Sequence, residues 1–339
     1  MSSLFRRGRS TGVVGAPIDG VRRASNGLYV TSTGISDLDH AVGGGVPVGS
    51  IVLLQQDEPS AYYLTFLRCF LAEGVARGHC VVDASVGESP ADSLPFVVTS
   101  GKKASKRVTV NDKFKIARRY GHLVDPRAGP SALAPAHNSL SFDLNLPMQE
   151  EIVDANRPLR IDVSSFPLDS DLIERIRSQL INRRCGPGGT LGRIVLHSVR
   201  PVTDTRAFLR FLHVVRALAR SHFAVVVVSL PTYLMQSDHV ERISAMFDTI
   251  LDLHSFVGRR SPYGPSHDGL VQIRRLPTMN TWNVIRPESI EFLFKIRKSE
   301  VVVERVSMPV DSSSRAGDAP SAIAAPSACS GDLPVQLQF

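Results

Sequence analysis

The sequence predicts an α/β fold, a mostly parallel central sheet flanked by helices with a β-hairpin at its C-terminal end. Three observations carry this. "RIVLHS" (Arg193 to Ser198) and "AVVVVS" (Ala224 to Ser229) are β-branched runs too apolar to alternate, as strands covered on both faces must be. Between them, Thr203 to Ser221 has apolar residues at helical spacing, completing a strand–helix–strand unit whose strands run parallel. Upstream, the short apolar run Ser50 to Gln56 precedes a second helical pattern, Tyr62 to Ala76, which stops at "RGH".

The other elements follow in order. Residues 1–27, rich in Arg, Ser and Gly without apolar periodicity, read as a disordered basic tail. The folded domain is expected over 28–310. Strand His79 to Ser85 leads to a basic loop or insertion over about 99–145, which includes the extended connection "GHLVDPRAGPSALAPAHNSLSF". Helices are expected over Met148 to Asn156 and Asp169 to Arg183, with the linker "CGPGG" after them. "TILDLHSF", "GLVQIRRL", "IEFLFKI" and "EVVVERV" read as further strands, the last two flanking "RKS" as the hairpin. Residues 311–339, rich in Ser, Ala and Pro, read as a second disordered tail. No repeat of 20 to 50 residues is found.

At 339 residues and 43% apolar, the chain is long enough for one large domain or two small ones, with ample material for a core. No run of about 18 apolar residues is present, and "MSSLFRRGRSTG" lacks a signal peptide's apolar stretch, so a soluble intracellular protein with no membrane contact is expected. Cys69, Cys80, Cys185 and Cys329 never form a CxxC pair, which argues against a zinc site or disulfide framework. The formal charge of +7 suits a polyanionic partner, because Lys and Arg that neutralise phosphates gain from counterion release.

"GGGVPVGSIVLLQQDEPSAYYLTFLRCF" opens like a nucleotide-binding segment and then departs from one. A P-loop needs glycines to expose backbone amides, a Lys for phosphate charge and a Ser or Thr for magnesium. After Gln56 the chain instead offers Asp57, Glu58, Pro59 and Ser60, with two carboxylates that would repel phosphates. The triplet Gly43 to Gly45 precedes the strand, at the wrong end for phosphate, and reads as a turn. A magnesium-holding Asp is expected after a later apolar strand, but "RIVLHSV" has His197 there, a poor ligand for a hard cation. His197 reads either as a base or as a hydrogen-bonded strand-end histidine. Asp57, Glu58 and His197 thus mark a degenerate nucleotide site. No residue set reads as catalytic or metal-binding. Glu150, Glu151, Asp169 and Asp171 stand at helix starts, where they favour the macrodipole.

Two basic groups stand out. Arg206, Arg210, His213, Arg216 and Arg220 recur at spacings of three or four on one helix face, opposite Phe208, Leu212, Val215 and Leu218. They form either a phosphate-tracking stripe or an ordinary solvated face. Lys113, Lys115, Arg118 and Arg119 belong to a denser cluster that starts at Lys102 and holds Asp112 as its one acid. Such a loop suits an RNA backbone, with Phe114 and Tyr120 as stacking surfaces, and equally reads as a solvated loop.

The segments "STGISDLDHAVGGGVPVGSIVLLQQDE", "DKFKIARRYGH", "FDLNLPMQEEIVDA", "FLRFLHVVRALARS", "AVVVVSLPTYLMQ", "DTILDLHSFVG", "GLVQIRRLP" and "FLFKIRKSEVVVERVSMPVD" together resemble the PAXNEB family of Elongator complex protein 4, over about residues 28–311. The resemblance implies a RecA-like domain, itself non-catalytic, in a hetero-hexameric ring with Elongator proteins 5 and 6. It further implies tRNA binding, association with the catalytic Elongator subunits and support of wobble uridine 34 modification, in cytoplasm and nucleus. ATP would sit at subunit junctions of the ring, with no cofactor bound by this chain alone. The alternative is a divergent RecA or KaiC-like ATPase with an unrecognised phosphate loop. A third reading is a protein-only adaptor whose basic face is incidental.

Overall fold

Alternate residues of the central strands feed two separate cores, and that sets the layers. The computed structural model describes residues 18–24, 26–98, 139–163, 170–199, 205–259, 261–263, 266–279, 289–297 and 299–306. In chain order the first half comprises β1 (Val21–Arg23), β2 (Tyr29–Thr31), α1 (Ser36–Ala41), β3 (Val46–Pro47), β4 (Ile51–Gln55), α2 (Tyr62–Ala76), β5 (Cys80–Ser85), β6 (Pro95–Val98), β7 (Ser141–Pro147), α3 (Glu150–Ala155) and β8 (Leu159–Asp162). The second half comprises α4 (Ser170–Asn182), β9 (Gly192–His197), α5 (Thr205–Ser221), β10 (Ala224–Leu230), α6 (Ser237–Ser244), β11 (Thr249–Ser255), β12 (Gly269–Arg275), β13 (Glu291–Ile296) and β14 (Val301–Arg305).

Nine strands form the main sheet in the order β14-β13-β12-β11-β4-β10-β9-β5-β8. The six from β11 to β8 pair in parallel, and β12, β13 and β14 continue antiparallel. Val52, Leu54, Val225 and Val227 face the core under α1 and α2. Ile51, Leu53, Val226 and Val228 face the core under α4, α5 and α6. Both faces are covered, which is why these strands show no polar alternation. Because the parallel strands share one direction, Gln55, Ser85, His197, Leu230 and Ser255 end at a common carboxyl edge.

Two expected boundaries shift. Val21–Arg23 was assigned to the tail ending at 27, yet Val21, Arg22 and Arg23 pair with Thr31, Val30 and Tyr29. Ser141–Pro147 opens within the stretch assigned to the insertion, yet it pairs with β6, and Phe142 is buried. Gly43, Gly44 and Gly45 do make a turn, with φ of 88°, 109° and 110°. Gly44 N and Gly45 N donate to Asp39 O at 2.6 and 3.2 Å, and a Cβ on Gly45 would lie 2.5 Å from Thr31 O. The expectations for 1–17, 99–138 and 307–339 lie outside the described residues.

Candidate functional site

At the carboxyl edge the loop between β4 and α2 is tied into a set of neutral side-chain hydrogen bonds. Residues 56–61 join β4 to α2 without a glycine. Gln56 N donates to Leu230 O at 2.9 Å, and its Nε2 donates to Ser198 Oγ at 3.0 Å and Ser229 Oγ at 2.9 Å. Ser198 takes a left-handed φ of 53°, which turns the chain after β9 and lets its N donate to Ser229 O at 3.0 Å. One amide side chain thus ties β4 to β9 and β10. Gln56 itself is buried, and both hydrogens of its side-chain amide are used within the protein.

Asp57 does structural work instead. Its Oδ2 accepts the Ser255 N–H at 2.8 Å and the Ser60 hydroxyl at 3.4 Å, clamping the loop onto β11. Glu58 is exposed beside it. His197 is buried and its ring lies 5.6 Å from that of Tyr63, tilted by 31°. Burial pushes its pKa down to about 4 against the opposing pull of Asp83 and Glu88, which keeps the imidazole neutral. Ser198 Oγ is 3.4 Å from Nδ1 and 3.2 Å from Nε2. Near-equal distances put the hydroxyl beside the ring edge rather than on one lone pair, so the two do not form a nucleophile–base pair. Among the described residues no group of three His, Cys, Asp or Glu side chains is placed to hold a metal ion.

The arginine stripe of α5 divides in two. Arg206 and Arg210 are exposed on its first turns. Arg216 is only 27% exposed and reaches Asp248 Oδ1 at 2.5 Å, with Arg220 3.7 Å from the same oxygen. Asp248 is buried, and its other oxygen accepts the Ile51 N–H at 3.1 Å, so it anchors α5 to the amino ends of β4 and β11. Half of the stripe therefore has a structural task in addition to any surface role. Lys113, Lys115, Arg118 and Arg119 lie outside the described residues.

Sequence reasoning missed a buried ionic network near the end of α2. Arg193, the second residue of β9, is fully buried, donating from Nε to His79 Nδ1 at 3.1 Å, Nη1 to Phe70 O at 3.1 Å and Nη2 to Thr31 Oγ1 at 2.7 Å. Its guanidinium also lies 4.7 Å from the centre of the Phe70 ring. Burial lowers its pKa to about 10 while Glu73 and Asp39 oppose the drop. With Nδ1 accepting, His79 donates from Nε2 to Asp19 O at 2.8 Å, which fixes its tautomer. Glu73, fully buried on α2, pairs with Arg77 at 2.5 Å and accepts the Leu140 N–H at 3.1 Å. A glutamate in the apolar run "FLRCFLAEGVA" and an arginine leading "RIVLH" were the available signals.

No helix among the described residues is long and apolar enough to cross a membrane. Three relatives named Elongator complex protein 4 align with most of the chain. That of Dictyostelium discoideum is 28% identical, covering 86% of this chain and 77% of the relative. Those of Danio rerio and Homo sapiens are each 26% identical over 84% of this chain, covering 83% and 78% of their own lengths. The model of the family described as PAXNEB protein matches residues 14–334, so the chain belongs to the PAXNEB family.

Proposed function

We propose that this chain is a non-catalytic subunit of Elongator, a RecA-like protomer with a C-terminal β-hairpin. It acts in a hetero-hexameric ring with Elongator proteins 5 and 6. The ring binds tRNA and supports wobble uridine 34 modification by the catalytic subunits, in cytoplasm and nucleus. The names of its relatives support the Elongator assignment, and six parallel strands between two helical layers are compatible with a RecA-like core. The observation that carries the non-catalytic reading is the Gln56 bridge to Ser198 and Ser229, which fills the phosphate slot with side chains that satisfy one another. ATP at a junction of the ring would draw its phosphate ligands from a neighbouring subunit. Exposed Arg206 and Arg210 supply the chain's described share of a phosphate-contacting face.

The test is reconstitution of the ring and measurement of tRNA affinity against salt. Affinity should fall steeply with ionic strength, and Arg206→Glu with Arg210→Glu should weaken it and flatten the salt slope. Unchanged binding would remove the α5 face from the reading. Magnesium-dependent ATP turnover by the chain alone, abolished by a change at Asp57, would replace the proposal with the divergent ATPase.

A further inference from the structure

A cleft of about 320 Å³ opens on the α2 side of the sheet. Its walls come from α2, from β6 and the loop before it, from β7 and from the end of β13. Pro95, Leu144 and Ile296 give it apolar surface. Its other lining side chains, Thr65, Arg68, Ser93, Asn145 and Arg297, all offer hydrogen-bond donors, and no carboxylate lines it among the described residues. The volume lies in the range of small-molecule sites, which pair apolar walls with a few convergent polar groups.

The arginines are held at the rim. Arg68 Nη2 donates to Glu88 at 2.6 Å, and Arg297 Nη1 lies 3.3 Å from Glu300. Asp143 accepts Asn145 N at 3.0 Å and its amide at 3.3 Å. The two carboxylates beside the arginines are 62% and 43% exposed, so an incoming oxyanion competes with weak surface pairs. Arg68 Nε is buried and finds no acceptor among the described residues. The Arg68 side chain as a whole is 25% exposed, and a shielded donor without a hydrogen bond is costly enough to favour an acceptor from outside the protein.

We propose that this cleft binds a small organic phosphate, its phosphoryl oxygens between Arg68 and Arg297 and its organic body against Pro95, Leu144 and Ile296. Five donor side chains exceed what the two oxygens of a carboxylate need and match the oxygens of a phosphate monoester. The site does not depend on the Elongator assignment.

Calorimetric titration of the full-length chain, purified with its bound partners, tests it with ribose 5-phosphate, ribose, inorganic phosphate and acetate as probes. Ribose 5-phosphate should bind most tightly, inorganic phosphate more weakly, and ribose and acetate not measurably. Arg297→Gln should weaken ribose 5-phosphate about tenfold and Arg68→Gln at least as much, while Arg242→Gln on α6 leaves it unchanged. Arg297 is half exposed, so its variant keeps the test decisive if Arg68→Gln fails to fold. Equal binding of ribose and ribose 5-phosphate, acetate binding as tightly as phosphate, or indifference to Arg297→Gln would overturn the proposal. So would a uridine hexanucleotide that outcompetes ribose 5-phosphate in an Arg297-dependent way, since the cleft would then serve an RNA backbone.

Discussion

Thr249 opens β11 with its hydroxyl in the wrong surroundings. The side chain is 1% exposed, lines an apolar cavity of about 40 Å³, and its Oγ1 finds no partner among the described residues. A buried hydroxyl without a hydrogen bond costs about 1–3 kcal/mol, and valine has nearly the same shape. Thr249→Val should therefore raise unfolding free energy by about 1 kcal/mol in urea titration, and a loss of stability would show that the hydroxyl is satisfied after all. Gln56 is the opposite case, a buried amide with both of its donors satisfied. Gln56→Leu should cost about 2 kcal/mol by the same measurement, because it strips the donor from two serine hydroxyls. The lack of glycine and lysine after Gln56 was legible in the sequence, but the bonds that Gln56 makes were not. The partners of Gln56 lie 142 and 173 residues away, a pairing that only the folded sheet creates.

On α5 one periodic stripe serves two purposes, and substitution separates them. Arg216→Ala leaves Asp248 buried beside Ile51 with the more distant Arg220 as its remaining cation, so about 2 kcal/mol of stability should be lost. Arg210→Ala, on an exposed position of the same helix, should change stability by less than about 0.5 kcal/mol while weakening the tRNA binding proposed for the reconstituted ring. If the two variants showed the same stability, the anchoring role of Asp248 would be wrong. Periodicity made the face legible and could not say which arginine meets a buried carboxylate from another element. The same limit governs the strands. Those of the parallel core were readable because both faces are buried and the runs stay apolar. Edge strand β8, "LRID", alternates with charge, and β3 has two residues, too short for any period. The strand β7, "SFDLNLP", does alternate, but the preceding basic stretch masked its start.

For the molecule as a whole, the buried titratable groups set a defined response to acid. His79 is held down to about pKa 3 by burial and then by Arg193, and His197 to about 4 by burial. Both sit below their ordinary value of 6.5, so the unfolded chain takes up two protons that the native chain refuses as pH falls from 6.5 towards 4. Stability from these groups is complete above pH 6.5 and declines below it, by about 1.4 kcal/mol per pH unit for each histidine. Asp39 acts in the other direction. Burial raises its carboxyl from 3.8 to about 6 despite hydrogen bonds from Ser32 and Thr33, so between those values the native state holds a proton that the unfolded state has released. Its contribution rises as pH falls through that window and cancels one histidine. His254, raised by Asp252, is half exposed and adds little. The net expectation between pH 6 and 4.5 is a loss of about 1.4 kcal/mol per pH unit, measured by urea unfolding at successive pH values. Asp39→Asn removes the opposing group and should steepen the loss to about 2.7 kcal/mol per pH unit, whereas His197→Gln should leave the curve nearly flat. The slopes, not the offsets, carry the test, because either change also alters hydrogen bonding at every pH. Three parallel curves would mean that these groups do not govern the acid response.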